Sequence, residues 1–218
     1  PDILIYGIKY IQENKVQFDS SKEEAICMEQ NQIKEYITNL YEVGAISSSV
    51  NKVYKREVLR NSCFDESLKY GEDLKFNMRV FGSVKSIINI PKALYYYNKH
   101  ENSLTTNIDK QQIREMLSLF QLSKEFFESI EIEKQRQDEL LIRHYFEYLY
   151  PYYISEIAKM KTMRIKEKNM LIQKIINADY LGYIKNLEKK GTFQKLVMSK
   201  NSILIIGYCN LLSLIQKK

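Results

Sequence analysis

Gly71-Glu72-Asp73-Leu74-Lys75-Phe76-Asn77-Met78-Arg79-Val80-Phe81-Gly82 sets a helical pattern between two glycines. Leu74, Met78 and Phe81 recur at helical spacing, which predicts a helix over 72–81 with those three side chains inward and Gly82 as its stop. Glu72 and Asp73 then occupy the first turn, where the helix dipole and the unpaired amides favour negative charge. By position alone they are ordinary helix-opening residues. A second reading makes one of them a base that deprotonates a substrate hydroxyl, since that task needs an ionised carboxylate held rigidly beside the acceptor. Both readings stand at this level.

Working outward, the upstream sequence alternates short strands and helices. Asp2 to Tyr6 reads as a buried strand ended by Gly7, and Lys15-Val16-Gln17-Phe18 as an edge strand, followed by a polar loop from Asp19 to Glu24. Ile33, Tyr36, Ile37, Leu40 and Tyr41 share one face of a helix over 32–43, with Gly44 as its stop. Ser47-Ser48-Ser49 is a loop before Asn51-Lys52-Val53-Tyr54, and Lys55 to Arg60 is a short helix. Downstream, Lys85 to Ile90 and Lys92 to Tyr97 read as two strands on either side of Pro91.

From Asp109 the periodicity is helical throughout. Ile113, Leu117, Phe120, Leu122 and Phe126 mark one helix, Leu140 to Ile157 a second that Pro151 breaks or kinks, and Arg164 to Asn177 a third. The apolar end from Thr192 to Ile215 has basic flanks. The expected fold class is therefore α/β over 1–107, a partial mixed sheet with helices, followed by an all-α region over 108–218.

Composition narrows the function classes. With 44% apolar residues the chain is globular, and with only 7 Gly a glycine-rich phosphate loop is not expected. Cys27, Cys63 and Cys209 have neither metal-ligand spacing nor an even count, so free thiols in a reducing compartment are expected. Ile203 to Ile206 and Leu211 to Ile215 are too short and too interrupted for a membrane span. Charge is unevenly placed: Lys159 to Lys218 carries 13 Lys/Arg against 3 Asp/Glu, a net +10, while the remainder carries 20 against 24, a net −4. The basic bias fits either an amphipathic surface that docks on an anionic membrane or a solvated helix face. Nothing resembles a groove-reading helix or an RNA-stacking sheet, so nucleic acid is not an expected partner.

Asn102-Ser103-Leu104-Thr105-Thr106 either caps the helix after Asp109 or forms a loop over a cleft, with His100 just before it. His144, beside Arg143 and Tyr145, reads as structural. Tyr95-Tyr96-Tyr97 and the tyrosines from Tyr145 to Tyr153 serve either as sugar-stacking rings or as core and rim residues.

Three segments occur in order: Asn51-Lys52-Val53-Tyr54-Lys55-Arg56, then Phe64-Asp65-Glu66 to Gly71-Glu72-Asp73-Leu74-Lys75-Phe76, then Leu94-Tyr95-Tyr96-Tyr97 to Asn102-Ser103-Leu104-Thr105. Together they resemble the second half of the catalytic domain of family 2 glycosyltransferases, GT-A-fold enzymes of bacterial capsule and cell-wall polysaccharide assembly. The resemblance spans residues 1 to 107. It implies an inverting transfer of sugar from a nucleotide-sugar donor to a glycan or lipid-linked acceptor. Asp73, with Glu72 beside it, matches the family's Glu-Asp motif, whose Asp serves as general base. It also implies substrate-binding roles for Asn51, Lys52, His100, Ser103 and Thr105, although Asn98 stands where members often carry Arg. A divalent metal, Mn or Mg, is expected for the whole enzyme. Its Asp-x-Asp ligands occur nowhere in this sequence, and the nucleotide-binding half is expected to precede residue 1. The implied location is cytoplasmic, peripheral on the inner face of the cell membrane. A second function class stays open: a helical interaction or membrane-docking module attached to a non-catalytic remnant of such a domain.

Overall fold

The computed structural model describes residues 1–13, 15–98 and 110–215. It is a mixed α/β architecture that divides into two compact units, one of Pro1–Asn107 with Ser118–Leu140 and the other of Ile108–Leu117 with Leu141–Lys218.

The first unit is built on a mixed sheet of β1 (Ile3–Gln12), β2 (Lys15–Asp19), β3 (Ala25–Cys27), β4 (Lys52–Tyr54) and β5 (Ile87–Asn98). The order is β2-β1-β5-β3, with β4 paired to β1 as well. β1 and β5 run parallel; β2 and β4 run antiparallel to β1, and β3 antiparallel to β5. Ile3, Ile5 and Ile8 of β1 and Ile87 of β5 are buried, so the two central strands carry the sheet's apolar face. The edge strand β2 is exposed along its whole length.

Two strand expectations are corrected. Gly7 does not end β1, which runs on to Gln12. A Cβ at Gly7 would lie 2.7 Å from the backbone of Ser21, so this glycine is required by a close crossing of two chain segments and is no stop signal. Pro91 does not divide β5. Ile5 faces Asn89 but Gly7 faces Ala93, so the proline sits in a bulge where its missing N–H leaves no ladder position empty. The short β3 was not foreseen, since its three residues are too few to show a strand alternation.

Helices α1 (Gln30–Glu42) and α2 (Glu72–Phe81) pack their apolar stripes into the same core. Ile33, Ile37, Leu40 and Tyr41 of α1 are buried, as are Leu74, Met78 and Phe81 of α2, as the spacing predicted. Lys55 to Arg60 forms a 3-10 turn at Arg56–Leu59, and a second lies at Ala45–Ser47. Helix α3 (Lys110–Ser129) contributes residues to both units; within the first, Phe127 meets Tyr41 edge-on at 4.8 Å. Arg136 of α4 (Lys134–Leu141) pairs with Glu42 at 2.8 Å.

The second unit is helical. The disturbance expected at Pro151 takes the form of a π-helical segment, Ile142–Leu149, directly before α5 (Tyr150–Lys159). The N–H of Tyr150 donates to the Tyr145 carbonyl, five residues back. In an α-helix the Pro151 ring would press on the carbonyl four residues earlier, and the wider turn removes that clash. Tyr145, Tyr150 and Tyr153 are core residues, while Tyr148 and Tyr152 face outward. Helices α6 (Ile165–Ile175), α7 (Ala178–Asn186), α8 (Thr192–Met198) and α9 (Ser202–Ile215) complete the unit. α7 was not foreseen; the Asn177 side chain caps it by accepting from the Tyr180 N–H at 2.8 Å. Among the described residues no helix is long and apolar enough to cross a membrane.

Candidate functional site

The first two motif segments meet on α2. Phe64 stacks on Phe76 with ring centres 4.2 Å apart and planes at 9°, and Tyr54 meets the same ring edge-on at 5.5 Å. Lys75 pairs with Asp65 at 2.6 Å. Hydrogen bonds from Lys75 and Ser67 hold the Asp65 carboxyl well below the usual carboxylate range. Segments distant in sequence thus form one surface around the start of a single helix.

Gly71 makes that start possible. Its φ is 78°, a left-handed conformation that L side chains rarely adopt, and a Cβ there would overlap the Leu119 side chain. The turn sets Glu72 and Asp73 on the first turn of α2, both half-buried. The backbone N–H and the hydroxyl of Ser49 donate to the two Asp73 carboxylate oxygens, at 3.3 and 2.7 Å. Two donors leave lone pairs free on a carboxylate that has about four acceptor sites.

Lys52 and Asn51 stand beside this loop, and both are buried. Lys52 Nζ donates to the carbonyls of Ala45 (2.8 Å) and Ser48 and to Asn51 Oδ1 (2.8 Å). Burial pushes this ammonium down to about 7, and the Asp73 charge opposes that shift. With all three N–H groups engaged, Lys52 knits the 45–51 loop together and has no donor left for a ligand. One wall further in, Tyr54 donates to Asn77 Oδ1 at 2.6 Å, and Asn77 Nδ2 donates to the Ile46 carbonyl at 2.6 Å. Burial raises the Tyr54 phenol, and the nearby Asp73 and Tyr6 raise it further.

The 48–51 loop has a second side. A cleft of about 290 Å³ opens there, lined by the rings of Tyr6, Tyr10, Phe18 and Tyr36 and by Asn51 and Asn89, among others. The Tyr6 hydroxyl donates to the Val50 carbonyl at 2.8 Å, fixing the loop from this side too. Asp73 and Glu72 do not line this cleft. Ser48 and Asn51 border it, while Ser49, between them, turns to Asp73.

Of the residues singled out by sequence, the structure brings together Asp73, Asn51 and Lys52, with Glu72 adjacent to Asp73 on the helix. His100, Ser103 and Thr105 lie outside the described residues. His144 is half-buried in the second unit, and desolvation there pushes its imidazole down to about 4. Sequence reasoning missed Ser49 and Asn77. Asn77 had a signal, because it is an amide in the apolar stripe of α2, four residues after Asp73. Among the described residues no group of three or more His, Cys, Asp or Glu side chains could hold a metal ion. In comparisons with known proteins, no family model and no curated protein matches this chain.

Proposed function

We propose that this chain supplies the acceptor side of an inverting, nucleotide-sugar-dependent glycosyltransferase with a GT-A-like domain over its first unit. The observation that supports this reading is Asp73: an ionisable carboxylate at a helix start, aimed by Ser49 and backed by buried Asn51 and Lys52. In the proposed reaction Asp73 takes the proton of an acceptor hydroxyl. The freed oxygen bonds to the anomeric carbon, and the bond to the nucleotide diphosphate breaks with its electrons on the leaving group, inverting the configuration. Asp73 acts on the acceptor proton, and the divalent metal that the resemblance implies would stabilise the leaving diphosphate. A general base contributes roughly 10²–10⁴-fold to such a rate.

The test is Asp73→Asn in the natural full-length protein. Sugar transfer falls by at least about 100-fold, with nucleotide-sugar binding unchanged. Normal turnover by that variant would refute the assignment. A second reading is favoured by the Ser49 contacts: Asp73 braces the 48–51 loop and does no chemistry. In that case Asp73→Asn and Ser49→Ala change thermal stability alike, and neither separates turnover from folding.

A further inference from the structure

Helix α9 is apolar on every side, and such a helix is ordinarily enclosed. This one is not. Ile205, Ile206 and Cys209 are buried, whereas Ile203 is 71% exposed, Leu204 52%, Leu211 57% and Leu212 39%. By helical rotation Ile203, exposed Gly207, Leu211 and Leu204 lie within about 100° of one another, and Leu212 lies about 80° beyond Leu204 at the edge of that side. Positive charge gathers at one end of that side. Lys200, in the turn before α9, and Lys166, in the first turn of α6, border an open groove of about 500 Å³ that Asn169, Asn201 and Ile203 also line. Gln173 secures the turn by donating to the Lys200 carbonyl and to Ser202 Oγ, each at 2.8 Å. Neither α8 nor α9 contains an acidic residue, and Lys159 to Lys218 carries 13 Lys/Arg against 3 Asp/Glu.

We propose that α9 lies flat in the headgroup layer of an anionic lipid membrane. Ile203, Leu204, Leu211 and Leu212 enter the acyl boundary, and Lys166 and Lys200 meet lipid phosphates. The occupant follows from charge and shape together: an aliphatic stripe on a helix that carries no acidic residue, rimmed at one end by Lys166 and Lys200, complements an anionic lipid interface. Its length agrees. A helix of 14 residues spans about 21 Å, too short for a hydrocarbon core of about 30 Å yet ample for lying in the plane. This inference does not rest on the transferase reading, because every residue in it belongs to the second unit.

The experiment is co-sedimentation of the full chain with vesicles of phosphatidylcholine alone and of phosphatidylcholine mixed with phosphatidylglycerol. Binding is expected to the mixed vesicles and to weaken as salt is raised. Lys166→Gln with Lys200→Gln weakens it about 25-fold, two lysines at about fivefold each. Ile203→Asp with Leu211→Asp weakens it about tenfold or more. Both pairs sit at exposed positions, and circular dichroism checks their folding; if the aspartate pair fails to fold, the glutamine pair decides. No binding to the mixed vesicles, or binding that the lysine substitutions leave unchanged, overturns the proposal. So does loss of a dimer in sedimentation velocity on aspartate substitution while vesicle binding persists, because a second copy of the chain would then cover the stripe.

Discussion

Asn77 shows how much one buried amide can organise. It joins α2 to the Tyr54 hydroxyl of β4 and to the Ile46 carbonyl, and it is fully enclosed. Asn77→Ala deprives both partners at once, and each buried unsatisfied group costs about 1–3 kcal/mol. The expected loss is about 2–6 kcal/mol, read as a lower urea midpoint with an unchanged slope. The position of Asp73 at the start of α2 was legible in sequence, because glycine, two carboxylates and a helical stripe occur in succession. Its partner Ser49 was not. Three consecutive serines precede Asn51, and nothing in their order says which one turns towards the helix.

At the scale of elements, α2 depends on the conformation of Gly71. Gly44 also has positive φ, 73°, but a Cβ there would meet nothing within 4 Å. Gly44→Ala should therefore cost only the left-handed strain, about 1–2 kcal/mol. Gly71→Ala adds overlap with Leu119, so its cost should exceed that of Gly44→Ala by about 1–3 kcal/mol in the same unfolding assay. Equal costs would mean that the Leu119 side chain simply moves aside. The helices α1 and α2 were readable because 3.6-residue periodicity survives in short windows. The strands were read less well. Gly7 and Pro91 carry the usual signatures of strand ends, yet one marks a crossing and the other a bulge, and only the crossing at Ser21 and the pairing with β1 distinguish these cases.

For the whole molecule, the two units respond to pH through different groups. Lys52 and His144 both have folded pKa values below their ordinary ones, so the unfolded chain binds more protons and stability rises with pH across each window. For Lys52 the window runs from about 7 to 10.5, and for His144 from about 4 to 6.5. Acidification from 6.5 towards 4 therefore destabilises the second unit, while the first gains stability as pH rises above 7. In thermal melts, His144→Phe should flatten the acid limb and Lys52→Met the alkaline one. An unaltered pH profile in either variant would contradict the corresponding assignment. The sequence conveyed the change from α/β to helical character near residue 108. It did not convey that α3 would contribute to both units, since a helix's own periodicity says nothing of which core each turn enters.

The π-helical segment before α5 has a consequence for the phase of the helix. A turn closed five residues back holds one residue more than α geometry allows. Every side chain downstream is indexed from that surplus. Kept at its present length but closed as a regular α-helix, the segment would rotate α5 about its axis by about 100°. Tyr150, Tyr153, Ile154 and Ile157, now enclosed, would then point elsewhere. The wide turn therefore absorbs one residue and keeps those four side chains enclosed, and the Pro151 ring bars its regular closure; substitutions at outward positions such as Tyr148 are tolerable.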